Sequence, residues 1–204
     1  MKVGTDGVLL GAWANGGARI LDVGTGTGLI ALMMLQRFPK SRLTAIDIDE
    51  GAVCQAQENV SQAGCDDRIV VRQEAVQEHE GCYDAIVSNP PYFADSLKAP
   101  DARRALARHA DTLPYGELMD AAWRLLSDDG ELSVIVPFDY QQRMVDEAIF
   151  RGFFRSRTCA FRTVEGRPAR RYLLSFRKHP CEHNFTFMTM GDADYKQLTK
   201  PFYL

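Results

Sequence analysis

Read as a pattern of apolar and polar positions, the chain alternates strand-length apolar runs with amphipathic stretches. Arg19 to Val23, Arg42 to Asp47, Arg68 to Arg72 and Tyr83 to Ser88 are short, largely apolar runs that each stop at a glycine-rich or polar segment. Leu29 to Arg37, ended by Pro39, and Glu50 to Ala63 separate them with helical length and an apolar face. Such strand–helix alternation predicts a doubly wound, mostly parallel sheet with helices on both faces. Further along, the pattern predicts a helix from Tyr115 to Leu126, a turn at Ser127–Gly130, a fifth strand from Glu131 to Val136 and a helix from Tyr140 to Arg151. Phe153 to Thr163 and Arg171 to Arg177 read as an antiparallel closing pair, with the last strand inserted beside the fifth, for seven strands in all. At the front, Lys2 to Trp13 reads as a loop entering a short helix, capped by Thr5 or Asp6 with Val8, Leu9, Ala12 and Trp13 on its inner face.

Length and composition narrow this only a little. A chain of 204 residues, 46% hydrophobic, has enough apolar side chains for one domain with a full core. The longest purely apolar run, Leu29 to Leu35, is too short to cross a bilayer, and no basic stretch followed by an apolar one opens the chain. A soluble, cytoplasmic protein is expected, with a monomer as the working expectation. Five cysteines, none in a C-x-x-C pair, do not make a disulfide framework. His179-Pro180-Cys181-Glu182-His183 has the spacing of metal ligands, but the proline disrupts it and no fourth ligand is near, so no metal is expected. His79, in an acidic loop, is expected to be solvated.

The first strand delivers Asp22-Val23-Gly24-Thr25-Gly26-Thr27-Gly28 directly into a helix. Strand, glycine turn and helix make a nucleotide-binding loop, because glycine lets the backbone turn tightly and approach a ligand. A dinucleotide fingerprint would need glycine at position 29, which is Leu29. The G-x-G-x-G behind an acid instead resembles motif I of the S-adenosylmethionine (SAM)-dependent methyltransferases. Asp22 would repel a pyrophosphate but suits an ammonium group. Asp47 ends the second strand 23 positions beyond Gly24, where a ribose-binding acid belongs. Capping of the next helix, the competing role for Asp47, falls better to Asp49. Ile48 is placed to pack on adenine, and Glu74-Ala75, after the third strand, to meet its amino group.

The fourth strand ends in Ser88-Asn89-Pro90-Pro91-Tyr92. Two prolines remove two amide donors and fix φ, so the strand stops with Asn89 at its end. An amide oxygen, a rigid carbonyl and an aromatic ring make a receptor for a planar group bearing an NH₂. Strands one and four flank the switch point of a doubly wound sheet, so this receptor and the glycine loop share a crevice. Together they resemble the class I N-methyltransferases. Residues 93–112 follow without clear periodicity, and Arg103, Arg104, Arg108 and His109 gather there, which reads as a substrate or lid loop. From Arg151 to Lys178, nine basic residues face the single acid Glu165 in a chain of net charge −3. That imbalance favours a polyanionic substrate, and the competing reading is a set of solvated strand edges.

Met1 to Trp13, Leu21 to Leu32, Ser88 to Tyr92, Arg104…Ala107-Arg108 and Tyr195…Pro201-Phe-Tyr-Leu204 resemble the bacterial tRNA1(Val) adenine-37 N6-methyltransferases along essentially the whole chain. The resemblance implies a Rossmann-like class I methyltransferase of one domain and SAM as cofactor. The substrate it implies is the exocyclic amine of the adenosine beside the anticodon in a valine tRNA. Members carry a further N-terminal stretch, so a short upstream segment is expected. Carried onto this sequence, Asn89, Pro90 and Tyr92 are expected to hold the acceptor amine. Lys2, Thr5 and Asp6 (within the segment 1–16), Asp22, Gly24, Gly26, Gly28, Asp47, Ile48, Glu74, Ala75 and Asn89 are expected around SAM. Phe93, Arg104, Arg108, His109, Arg167, Arg170 and Arg171 are expected toward the tRNA. Three rivals use overlapping features: a methyltransferase of protein glutamine amides, one of guanine N2 in ribosomal RNA, and an inactive SAM- or RNA-binding module.

Overall fold

In the computed structural model, residues 4–91 and 113–202 are described. Lys2, Tyr92, Phe93, Arg104, Arg108 and His109, with the expected substrate loop, lie outside them. Helix α1 (Thr5–Trp13) leads into β1 (Arg19–Val23), α2 (Leu29–Arg37), β2 (Arg42–Asp47), α3 (Glu50–Gln62), β3 (Ile69–Gln73) and β4 (Tyr83–Ser88). After the undescribed segment come α4 (Tyr115–Leu125), β5 (Leu126–Pro137), α5 (Phe138–Phe150), β6 (Phe154–Arg162), β7 (Arg171–Arg177), β8 (Asn184–Thr189), α6 (Ala193–Thr199) and a closing 3₁₀ turn (Lys200–Phe202).

The strands form one sheet in the order β3-β2-β1-β4-β5-β7-β6-β8. Parallel pairing runs from β3 through β5, with the order reversing between β1 and β4. Strand β7 is antiparallel to both β5 and β6, inserted between them. The sheet has eight strands rather than the expected seven, because Asn184–Thr189 adds itself parallel to β6. β5 also absorbs the expected turn at Ser127–Gly130, which the ladder accommodates by a register shift between Tyr83 and Ala85. Helix α1 takes Gly4 as its N-cap without a side-chain bond, so neither Thr5 nor Asp6 caps it. Asp49 does cap α3, accepting from the Ala52 amide.

Alternation along the central strands sends side chains to two cores, one on each face of the sheet. Leu21, Ile86, Leu132, Val134 and Leu174 meet α4 and α5, and Ile20, Ala85, Val87, Ile135 and Leu173 meet α1 and α2. Burial on both faces fixes the register, since a slip of one residue would exchange the two sets. The strand ends at the switch point are therefore held firmly, and the site is built on them.

Candidate active site

The glycine loop is shaped by backbone bonds to the neighbouring strand. The amides of Gly24 and Thr25 donate to the Ile46 carbonyl, and Gly24, Gly26 and Gly28 all have positive φ, at 69°, 58° and 78°. A Cβ at Gly24 would meet nothing within 4 Å, so its glycine is there for its backbone conformation and leaves open space beside the loop. Gly28 begins α2 and packs on Ala56, away from that space.

Asp47 ties the loop to the end of β2. Its Oδ2 accepts from the Gly26 amide at 2.9 Å and its Oδ1 from the Asp49 amide at 3.0 Å. Glu74 is brought alongside by its amide, which donates to the Asp47 carbonyl. Ser88 Oγ donates to the Val23 carbonyl at 2.8 Å, locking the end of β4 against the loop. These ends enclose a crevice of about 430 Å³ lined by Gly24, Gly26, Asp47, Ile48, Glu74 and Ala75, with Asn89 and Pro91 at one side. That volume falls within the usual range for small-molecule sites. Ile48, 50% exposed, presents an apolar side chain to the crevice.

A second cavity, also about 430 Å³, opens on the other side of Asn89, lined by Gly4, Thr5, Asp6, Asn89, Pro90, Pro91 and Arg171. Asn89 and Pro91 border both spaces. Arg171 Nε donates to Asp6 Oδ2 at 2.7 Å, joining α1 to β7 across this cavity.

Three expectations change on contact with the structure. Asp22 does not face the crevice: it is fully buried, with Oδ2 accepting from Thr25 Oγ1 at 2.7 Å and the Ala31 amide at 3.2 Å, and Oδ1 without a partner. Burial pushes its pKa up to about 7 against those two hydrogen bonds, helped by the charge of Asp47. His79 is not solvated but 1% exposed, bonded at both ring nitrogens. Four of the nine basic residues of the closing segment are engaged in ion pairs within the protein. Arg157 and Arg177 converge on Glu131, Arg151 pairs with Asp120 and Glu147, and Arg171 with Asp6. Glu131, 4% exposed, also accepts from Asn15 and Ser156. Burial would raise its pKa, but Arg157 and Arg177 outweigh that and hold it below the usual carboxylate range. Arg155, Arg167 and Arg170 have no ion pair among the described residues, and Arg167 and Arg170 are exposed in the β6–β7 loop. His183, in the segment for which no metal is expected, is bonded through Nε2 to Thr158 Oγ1 at 3.0 Å.

A parallel sheet reversing at β1 and β4, a glycine loop with an acid on the next strand, and Asn-Pro-Pro at the end of β4 define a class I methyltransferase. The chain belongs to the methyltransferase small-domain family, whose model matches residues 4–158, and within it to the tRNA1(Val) (adenine(37)-N6)-methyltransferases. Relatives of that name are 47% identical in Parabacteroides distasonis, 43% in Bacteroides fragilis and 37% in Vibrio campbellii. Each alignment covers all of this chain, and 91%, 91% and 89% of the respective relative. Among solved structures, a "predicted O-methyltransferase" from Agrobacterium tumefaciens superposes with a TM-score of 0.72 at 18% identity, covering 96% of both chains. TrmN from Thermus thermophilus superposes at 0.60 and 23% identity, covering 84% of this chain and 47% of its own. At such identities the two structures speak for the fold alone.

Proposed function

We propose that this protein transfers a methyl group from SAM to the N6 amine of adenosine 37 in the anticodon loop of a valine tRNA. The structural observation that carries the reading is the position of Asn89 between two cavities, with the full-length relatives naming the substrate. Donor and acceptor must meet at a shared wall, and here that wall bears the side chain suited to an amino group. When bound, SAM supplies an electrophilic methyl group. The crevice fits such a molecule: Asp47 at its edge suits ribose hydroxyls, Ile48 an adenine face, and the loop at Gly24 has no side chain to obstruct approach. Asp47 would accept from the ribose while keeping its bonds to the Gly26 and Asp49 amides, since a carboxylate offers about four acceptor sites.

An adenine amine is a weak nucleophile because its lone pair is delocalised into the ring. Asn89 and the Pro90 carbonyl accept hydrogen bonds from its two N–H groups, raising electron density on nitrogen and fixing the direction of the lone pair. One of the two protons passes to solvent once the methyl is gained and the thioether S-adenosylhomocysteine is left. Positioning then accounts for much of the acceleration. Tyr92 stacks on the base, which must leave the loop's stack to enter the second cavity. Asp6 and Arg171, bonded to each other, form the far wall of that cavity. Arg167 and Arg170 contact backbone phosphates of the anticodon arm, with Phe93, Arg104, Arg108 and His109 completing the contact surface.

The test combines labelled SAM with tRNA from a strain lacking the gene. Asn89→Ala should keep SAM affinity near wild type and lower methyl transfer roughly 10²-fold or more, as when one positioned polar group is removed from an active site. Normal turnover by this variant would place the acceptor elsewhere.

A further inference from the structure

The loop that forms one wall of the crevice, Glu74 to His79, is held from behind by side chains that touch neither cavity. Arg124, on α4, donates to the carbonyls of Val76, Gln77 and His79. His79 itself turns into the protein, where its Nδ1 lies 2.9 Å from Glu74 Oε2 and its Nε2 lies 2.7 Å from the Tyr83 hydroxyl. Its ring stacks on Tyr83 with centroids 5.7 Å apart. A Cβ at Gly81 would come within 2.7 Å of the Tyr83 ring, so the chain between them leaves this packing no slack.

Hydrogen-bond chemistry fixes one proton, that on Nδ1. A carboxylate only accepts, so Nδ1 must carry the hydrogen that Glu74 receives. Nε2 meets the Tyr83 hydroxyl, which can take either side of that bond. Tyr83, His79 and Glu74 thus form a hydrogen-bonded chain from the base of β4 to the crevice wall. Its end point is Glu74, which lines the crevice and whose Oε2 is held by His79, with Arg72 Nη1 4.0 Å away. Among the described residues no partner reaches Oε1.

We propose that His79 is a positioning residue for the cofactor's purine. By fixing Oε2 it holds the Glu74 side chain in one rotamer and leaves Oε1 as the acceptor for an exocyclic amine; this rests on the reading of the crevice as a SAM site. A glutamate on an aqueous cleft would otherwise lose rotamer freedom on every binding event, and a buried partner that orders it beforehand removes that cost.

The test compares S-adenosylhomocysteine (SAH) with its analogue lacking the purine 6-amino group, by calorimetry, on wild type, His79→Leu and His79→Asn. Wild type should prefer SAH. His79→Leu fills the space without a donor, and should lose about tenfold in SAH affinity while affinity for the analogue hardly moves. The Asn amide stands near the ring Nδ1, so His79→Asn should restore the preference. If both ligands weaken alike, the Leu variant has a folding defect, and His79→Gln decides. Its amide reaches Tyr83 but not Glu74, so it must lose the preference for SAH. Retained preference in His79→Leu with normal SAH affinity, no rescue by His79→Asn, or retained preference in His79→Gln overturns the proposal. Failure of wild type to bind SAH at all overturns the cofactor reading beneath it.

Discussion

The two acids of the glycine loop show how the same residue type takes different work from its surroundings. Asp47 stands at a strand end with both oxygens on backbone amides, whereas Asp22, 25 positions earlier, is sealed behind the loop with one oxygen unpartnered. Asp22 has the larger thermodynamic consequence, because its pKa is raised from 3.8 to about 7 in the folded protein. Between these values the folded state binds the proton that the unfolded chain has lost, so stability must fall as pH rises from about 4 to about 7 and level off above. Three pH units at about 1.4 kcal/mol each set the scale on the order of 4 kcal/mol. Asp22→Asn keeps an acceptor for Thr25 and Ala31 but has no charge to bury. Its melting temperature should be flatter than wild type across this window and higher at pH 8. Thermal melts in matched buffers from pH 4.5 to 8 check this, and an unchanged slope in the variant would assign the titration to another group. The acidic strand end was legible in the sequence, but its burial was not, because the spacing D-x-G-x-G-x-G is the same whether the carboxylate faces ligand or core.

At the scale of elements, the arginine-rich closing segment contributes less free charge than its composition suggests. Glu131 sits midway along β5 and draws Arg157 from β6 and Arg177 from β7, so three strands are joined through one carboxylate. That pairing could not be read from the linear pattern, in which Glu131 lies 26 residues from Arg157 and 46 from Arg177. Arg171 is engaged with Asp6 for the same reason: the topology returns β7 to α1. Exposed charge remains in the β6–β7 loop at Arg167 and Arg170. If these two contact phosphates, replacing both with Ala should lower the slope of log K against log salt for tRNA by about 1.4–1.8, at roughly 0.7–0.9 per contact. SAM affinity should be unaffected. A salt titration giving the wild-type slope would leave them as guards of a strand turn. Most strands and helices were legible because each is bounded by a glycine, a proline or a capping acid. β8 was not: Asn184-Phe185-Thr186-Phe187 does alternate polar and apolar residues, but the run is short, stands at the sheet edge and leaves both phenylalanines exposed. His79 was missed for the converse reason: its neighbours Glu78 and Glu80 are polar, and only the path of the chain past Tyr83 turns its ring inward.

At the scale of the molecule, the candidate cofactor crevice draws on the ends of β1 and β2, the loop after β3 and the residues after β4. A ligand there bridges segments from Val23 to Leu113, and both cores of the sheet converge on those same strands. Binding should therefore stabilise the domain as one cooperative unit rather than one loop. SAH at about 100 times its dissociation constant adds roughly 2.7 kcal/mol to unfolding. For a chain of this size each kcal/mol corresponds to about 2–4 °C, so the melting temperature should rise by roughly 5–10 °C. Asp47→Ala separates two contributions that the structure assigns to one side chain. Losing the bonds to Gly26 and Asp49 should lower the melting temperature without ligand by a few degrees, since each net backbone hydrogen bond is worth about 1 kcal/mol. Losing the ribose acceptor should cut the SAH-induced stabilisation at the same ligand concentration from roughly 2.7 to about 1.4–0.4 kcal/mol, because affinity falls by about tenfold to a hundredfold. Differential scanning fluorimetry with and without SAH measures both effects in one series. A variant that melts lower but keeps the full ligand-induced rise would limit Asp47 to shaping the loop and move the ribose contact to another group of the crevice.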